Sequence, residues 1–313
     1  MILLTLMLAA SGTYQNPVWG EDFPDPYVAQ CGHDFYAYAT HRDDSGFQCL
    51  HSKDLVHWER LPAVFKPSWS DEHYWAPEVH PWGHKWYLVY SAKNRTTHKH
   101  DVAIAVGPSP VGPFQELANL VDGSSNKVGD IDATLYFDHT KPYLLYSAEE
   151  PRSIQIVELS PDLSKTVGPS TMLLKPDRPI EKNVTEAPTM VKRSGRYWLF
   201  YSTGWFQSYK RDACYQIWAA SSTSPLGPFV KPEKPLITSK SGSVYDPGHQ
   251  CVLDLPSGES WIFYHGWDDS AEPLYGQNRR GRTLRMDRLI WTEAGPESNG
   301  PTTTLQKAPT LLR

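Results

Sequence analysis

Apolar and aromatic residues along this chain gather in short runs that close on a tyrosine. They read FYAYAT around Tyr38, WYLVYSA around Tyr90, YLLYSA around Tyr146, YWLFYST around Tyr201 and WIFYHG around Tyr264. Successive tyrosines are 52, 56, 55 and 63 residues apart, a quasi-period that signals one supersecondary unit used repeatedly. Each run is about 5–7 residues of Tyr, Trp, Phe, Val, Ile and Leu, the length of a buried strand and too short for a helix. Turn formers stand just ahead of every run: Gly32-His33-Asp34, Trp82-Gly83-His84, His139-Thr140-Lys141, Arg193-Ser194-Gly195 and Ser257-Gly258-Glu259. Each unit therefore reads as hairpins built around a central strand. Further strands are expected at 102–106 and 216–220, closing in the near-copies Ser109-Pro110-Val111-Gly112-Pro113-Phe114 and Ser224-Pro225-Leu226-Gly227-Pro228-Phe229.

A repeat of this size matches a four-stranded propeller blade, whose usual period is about 40–50 residues. The expected architecture is all-β, a five-bladed β-propeller; a pair of β-sandwiches with coincidental tyrosines is the competing reading. The 27 prolines and 21 glycines fit a chain of many turns, and no linker-like tract interrupts the repeats. Residues 13–313 are thus expected to form one propeller. Ahead of it, the apolar stretch Met1–Ala10 ends in small residues and is too short to span a bilayer. Residues 1–12 therefore read as a secretory signal, although the usual basic start is missing. The protein is expected to be secreted, monomeric and not membrane-embedded.

Charge narrows the partners. A net charge of −5 leaves no basic face for nucleic acid, while 12 tryptophans and 17 tyrosines suggest aromatic platforms for a neutral ring-shaped ligand. Two Asn-x-Thr sequons begin at Asn94 and Asn183. Cys31, Cys49, Cys214 and Cys251 lack metal-type spacing; a Cys31–Cys49 bridge between neighbouring strands and four free thiols are both open.

Counting back 12–15 residues from each tyrosine reaches Asp25, Glu78, Asp132, Glu186 and His249. Four carboxylates and a histidine would then occupy one blade position and converge on the channel axis. A lone acid beside a proline is usually a turn former. A ring of them is repulsive, and folds keep such crowding mainly where shifted proton affinities are used. Crowded carboxylates in an aromatic pocket point to glycoside hydrolysis, which needs a proton donor at the leaving oxygen and a base or nucleophile opposite. Three of the acids suffice, because a third can hold the proton on the first.

From Asn16 to Trp291 the chain resembles glycoside hydrolase family 43, the five-bladed propeller glycosidases of arabinan and xylan breakdown. The motifs are Asp22-Phe23-Pro24-Asp25-Pro26, Ser52-Lys53-Asp54-Leu55-Val56-His57-Trp58, Trp75-Ala76-Pro77-Glu78-Val79, Ile131-Asp132-Ala133, Glu186-Ala187-Pro188, Pro247-Gly248-His249 and Gly281-Arg282, in that order. The resemblance implies inversion, with Asp25 as general base, Glu186 as general acid and Asp132 as the residue that raises and orients the acid. It favours Asp132 over its neighbour Asp130. It implies that Arg282 contacts substrate. Trp75 is the best candidate for a subsite wall and Trp205 is taken as a further sugar contact, although for Trp205 and Phe206, as for His265 and Trp267, packing and sugar stacking are both open. For His249 it leaves two readings, a water-mediated calcium in the channel or a structural histidine; no cofactor is required. Glu78 has no catalytic role in the pattern. An exo-acting α-L-arabinofuranosidase on arabinan, arabinoxylan or related chains is the expected activity. Endo-arabinanase, β-xylosidase and galactan exo-hydrolase are family alternatives, and a sugar-binding propeller without turnover is the alternative of another class.

Overall fold

Dense aromatic and β-branched runs punctuated by Gly and Asp turns leave the backbone little choice but antiparallel meanders, and those are what the computed structural model contains. It describes residues 12–206, 214–240, 242–268 and 281–312. A short strand β1 (Thr13–Tyr14) precedes the first blade. Blade I is β2 (Tyr27–Cys31), β3 (Asp34–Ala39), β4 (Gln48–Ser52) and β5 (Trp58–Leu61). Blade II is β6 (Ser70–Trp82), β7 (Lys85–Asn94), β8 (His100–Gly107) and β9 (Gln115–Val121). Blade III is β10 (Ile131–Asp138), β11 (Lys141–Ala148), β12 (Ser153–Leu159) and β13 (Thr166–Leu174). Blade IV has β14 (Thr185–Arg193), β15 (Arg196–Thr203) and β16 (Gln216–Ser222), its outer edge met by bridges from Val230 and Ile237. Blade V is β17 (Val244–Asp254), β18 (Ser260–Asp268), β19 (Arg282–Thr292) and β20 (Gly295–Glu297). A last strand, β21 (Gln306–Lys307), pairs with β1.

The first strand of each blade is innermost. Strands β2, β6, β10, β14 and β17 touch one another in sequence, and β17 meets β2 to close the circle. Five apolar clusters fill the five seams between blades. The tyrosines of the sequence repeat are buried in them, four of the five with no exposed surface. Each such side chain contributes roughly 1.5–3 kcal/mol through apolar burial, so the seams supply most of the cohesion. The two chain ends lock the ring. Tyr14 and Asn16 donate to the Met286 carbonyl at 3.1 and 2.7 Å, and Trp19 bridges to Leu284.

The cysteines are all free. Cys31 lies on β2 and Cys49 on β4, with β3 between them, so the expected neighbouring-strand bridge is excluded by strand order. Of the expected leader, residues 1–11 lie outside the described residues; Gly12 accepts from the Ala308 N–H.

Candidate active site

The site is built from a backbone irregularity repeated in every blade. Strand pairing aligns Pro24, Trp75, Ile131, Glu186 and Gly248, which face Thr40, Ser91, Ser147, Ser202 and His265 on the second strands. One residue later, Asp25, Ala76, Asp132, Ala187 and His249 all have positive φ, between 48° and 57°. Ladder register shifts at this point in blades II to V. Such bulges re-aim side chains. Here they turn consecutive residues of the inner strand toward the same channel mouth.

Four of the five left-handed residues have their N–H held by the preceding blade, Asp132 being the exception. Thr40 Oγ1 accepts from the Ala76 N–H at 2.9 Å, Ser147 Oγ from Ala187 at 3.2 Å, and Ser202 Oγ from His249 at 2.8 Å. His265 Nδ1 accepts from Asp25 at 3.1 Å, closing the circle between blades V and I. The residue that closes the aromatic run is thus a staple between blades in four of the five repeats. This alignment corrects the expected equivalence of the acids. Asp25, Asp132 and His249 share one position with two alanines, Glu186 stands one residue earlier, and Glu78 stands two residues later beside Thr134, Thr189 and Cys251. The counts of 12–15 from the tyrosines had absorbed the bulges and an offset of Tyr38 in blade I.

Asp25 sits just ahead of β2. Its Oδ1 takes a 2.8 Å bond from Arg282 Nη1, and its Oδ2 a 2.6 Å bond from Thr40 Oγ1. Burial pushes its carboxyl up, but the Arg282 guanidinium and the Thr40 hydroxyl outweigh that and hold it well below the usual carboxylate range. His249 and His265 each bring Nδ1 to 3.4 Å from Oδ1. Because His265 accepts the Asp25 N–H on Nδ1, it is neutral, and burial pulls both imidazoles downward. Arg282 is placed by Asp22, whose Oδ1 accepts the Arg282 N–H at 2.8 Å. Gly281 has no side chain to spare there: a Cβ would fall 1.8 Å from that oxygen.

Asp132 and Glu186 meet a different environment. Asp132 is buried with Glu186 and Asp25 as its acidic neighbours; desolvation and both negative charges raise its carboxyl well above the ordinary value, against Arg152 and the Ala187 N–H. Glu186 is raised as well, chiefly by burial, while Arg152 and a 2.7 Å bond from the Tyr215 hydroxyl pull the other way. The two carboxyls therefore hold a proton as a pair. The site thus contains an ionised carboxylate and, from two other blades, a pair of carboxyls that share a proton. That combination can take a proton from one face of a ligand and deliver one to another.

Other expected residues fall less neatly. Trp75, half-buried beside the Ala76 bulge, stacks on His100 at 4.1 Å and His73 at 4.8 Å. Trp205 is 51% exposed, and it is its neighbour Phe206 that lies under the Arg282 guanidinium at 5.0 Å. Asp130 is buried, bonded to Asn126 at 2.7 Å and raised to about 6 mainly by desolvation; Glu186 is not among the principal groups acting on it, whereas it acts on Asp132. Glu78 pairs with His80 at 2.8 Å, and Tyr27 caps the other His80 nitrogen at 3.1 Å. His249 faces Asp25. Among the described residues no three His, Cys, Asp or Glu side chains cluster to hold a metal ion. Calcium takes six to eight oxygen ligands, so this donor set does not make its site. Sequence reasoning missed Thr40, Arg152 and Tyr215 entirely and left His265 undecided. The Ser, Thr or His that follows each run was visible in all five repeats but had no assigned task.

Comparison with known proteins agrees with this fold. The model of glycosyl hydrolases family 43 matches residues 14–296. A crystal structure of a thermostable family-43 glycoside hydrolase superposes with a TM-score of 0.81 at 29% identity, covering 95% of this chain and 99% of that one. A β-D-galactofuranosidase of Aspergillus niger is 25% identical over 304 residues, 90% of this chain and 83% of its own length. An α-L-arabinofuranosidase of Humicola insolens is 25% identical over 253 residues, 73% of this chain and 51% of its own. A β-xylosidase of Bacillus subtilis is 25% identical over 319 residues, 90% of this chain and 56% of its own; the chain thus spans about half the length of the last two. With a closed ring of five blades, three interacting carboxyls at its mouth and a family match over nearly its whole length, the chain belongs to glycosyl hydrolase family 43 and is an inverting glycoside hydrolase that needs no cofactor for catalysis.

Proposed function

We propose that this hydrolase acts on arabinose- or xylose-containing polysaccharide and that its activity is that of an exo-acting α-L-arabinofuranosidase. The observation that carries the catalytic assignment is the split between carboxyls: Asp25 is held ionised by Arg282, while Asp132 and Glu186 are raised. Asp25 is the general base. It takes a proton from water as the water oxygen bonds to the anomeric carbon. Glu186 is the general acid, giving its proton to the glycosidic oxygen as the carbon–oxygen bond breaks. Asp132 supports Glu186 by keeping negative charge beside it. Arg282, besides fixing Asp25, offers donors to sugar hydroxyls. Trp75 forms an aromatic wall, and Phe206 takes the place expected of Trp205.

Support for arabinofuranose comes from relatives that bear that name, including an extracellular exo-α-(1→5)-L-arabinofuranosidase of Streptomyces avermitilis. We also propose that the protein is secreted, on the strength of the apolar Met1–Ala10 stretch. A panel of nitrophenyl sugars with linear arabinan, xylo-oligosaccharides and galactan tests the substrate. Turnover of xylosides alone would replace the arabinofuranosidase reading. Proton NMR of the first product anomer tests the displacement, and retained configuration would exclude Asp25 as base.

A further inference from the structure

Tyr215 lies just ahead of β16, buried at 2% exposure, and its hydroxyl donates to Glu186 Oε1 at 2.7 Å. Three features fix it there. Asp246 Oδ1 accepts the N–H groups of Cys214 and Tyr215 at 2.9 and 3.1 Å. The phenol ring lies parallel to His265, 5.9 Å between centroids and 6° between planes, on the imidazole that accepts the Asp25 N–H. Across the ring, Gly248 comes so close that a Cβ would sit 1.9 Å from a ring carbon. Such a socket for one phenol exceeds what packing alone requires.

We propose that Tyr215 is a positioning residue for the general acid: its hydroxyl occupies Oε1, so that the transferable proton of Glu186 resides on Oε2, and it takes up the charge that Oε1 gains when that proton leaves. The proton passes from Oε2 to the departing glycosidic oxygen, and the pair of electrons of the broken bond stays with that oxygen. Tyr215 keeps its own proton, because burial and the neighbouring Glu186 and Asp132 raise its phenol well beyond the ordinary range. The hydrogen bond is neutral-to-neutral before transfer and charge-assisted after it, which is the differential interaction that lowers a barrier. Around Glu186 the charged and titratable groups are Arg152 ahead of β12, Asp25 ahead of β2, Arg282 on β19 and Tyr215 itself, with Asp132 from β10 raised by the Glu186 charge in turn. Among the described residues, Tyr215 is the one whose side chain hydrogen-bonds the Glu186 carboxyl. The inference rests on the assignment of Glu186 as acid.

The test uses Tyr215→Phe, which keeps the ring, and Gly248→Ala, which displaces the ring without altering its hydroxyl. Both are assayed on the nitrophenyl and the alkyl glycoside of the sugar the panel identifies, with Glu186→Ala alongside and melting curves to check folding. Tyr215→Phe is expected to lower kcat on the alkyl glycoside roughly 10- to 100-fold, the worth of one charged hydrogen bond, and to spare the nitrophenyl glycoside. The alkaline limb of kcat/KM moves to higher pH, since a donor that favoured ionised Glu186 has gone. Gly248→Ala shifts it the same way. An unmoved alkaline limb with equal loss on both substrates, in both variants, overturns the role of Tyr215. If Glu186→Ala discriminates between the substrates in that case, the acid assignment stands; if it does not, both readings fall together.

Discussion

Asp25 and Asp132 occupy the same place in their blades, with φ of 57° and 55°, yet their proton affinities are pushed in opposite directions. Asp25 has a guanidinium on one oxygen and a hydroxyl on the other. Asp132 has burial and two carboxylates for company, with Arg152 only partly offsetting them. The propeller supplies the location five times over, but the chemistry at each location comes from whatever the neighbouring blades project across the seam. A symmetric scaffold thereby produces an asymmetric site, with the base where blades V and I meet and the acid pair between blades III and IV.

The comparison breaks most visibly at Asp25 itself. Asp25→Ala should lower kcat/KM by at least about 10³-fold on every substrate, toward the upper part of what general base catalysis contributes, with the melting temperature retained. Activity within tenfold of wild type would remove Asp25 from the mechanism. Arg282→Met comes next, at roughly 10²-fold near neutral pH, because a buried carboxylate loses its partner. Its signature is a direction: without the cation the Asp25 carboxyl rises, so the acidic limb of kcat/KM, which needs Asp25 ionised, moves to higher pH. An acidic limb that stays put would leave Arg282 as a substrate contact only.

Asp132→Asn probes the opposite environment. Removing a negative neighbour from Glu186 should move the alkaline limb to lower pH, the reverse of the Tyr215→Phe shift. Stability should move too. A carboxyl raised in the folded state costs stability above its unfolded value of 3.8, so Asp132→Asn is expected to melt higher than wild type at pH 7, with the gain vanishing as pH falls below 4. A lower melting temperature at pH 7 would mean that Asp132 is not under electrostatic strain. Smallest of all is Thr40→Ala, which removes bonds to both Asp25 and the Ala76 N–H. A loss of about 1–2 kcal/mol, seen as a melting point lower by a few degrees, should contrast with Ser91→Ala. Ser91 Oγ has no partner among the described residues, so that variant should melt near wild type.

The period of the tyrosine runs was enough to expect five blades, because each unit buries its aromatic face only against the next and must repeat its pattern to do so. Asp25, Asp132 and Glu186 were likewise legible from motifs, and all three stand at the channel end of inner strands, none on the rim. Their exact alignment was not. A bulge adds a residue without adding a recognisable sequence signal, so counting from the tyrosines placed Glu186 and Glu78 on a level with Asp25. Tyr215, Thr40 and Arg152 escaped because they reach the acids from other strands, and no interval in the chain records a contact across a seam.

Composition and periodicity alone specify a ring of antiparallel blades, since that follows from local strand and turn preferences repeated along the chain, and short motifs mark the carboxyls. Which carboxyl is ionised and which keeps a proton was settled only by folding. Charge and desolvation act through space over a few ångströms: Arg282, which holds Asp25 ionised, is 257 residues away in the chain, and the burial that raises Asp132 and Glu186 exists only once the blades close.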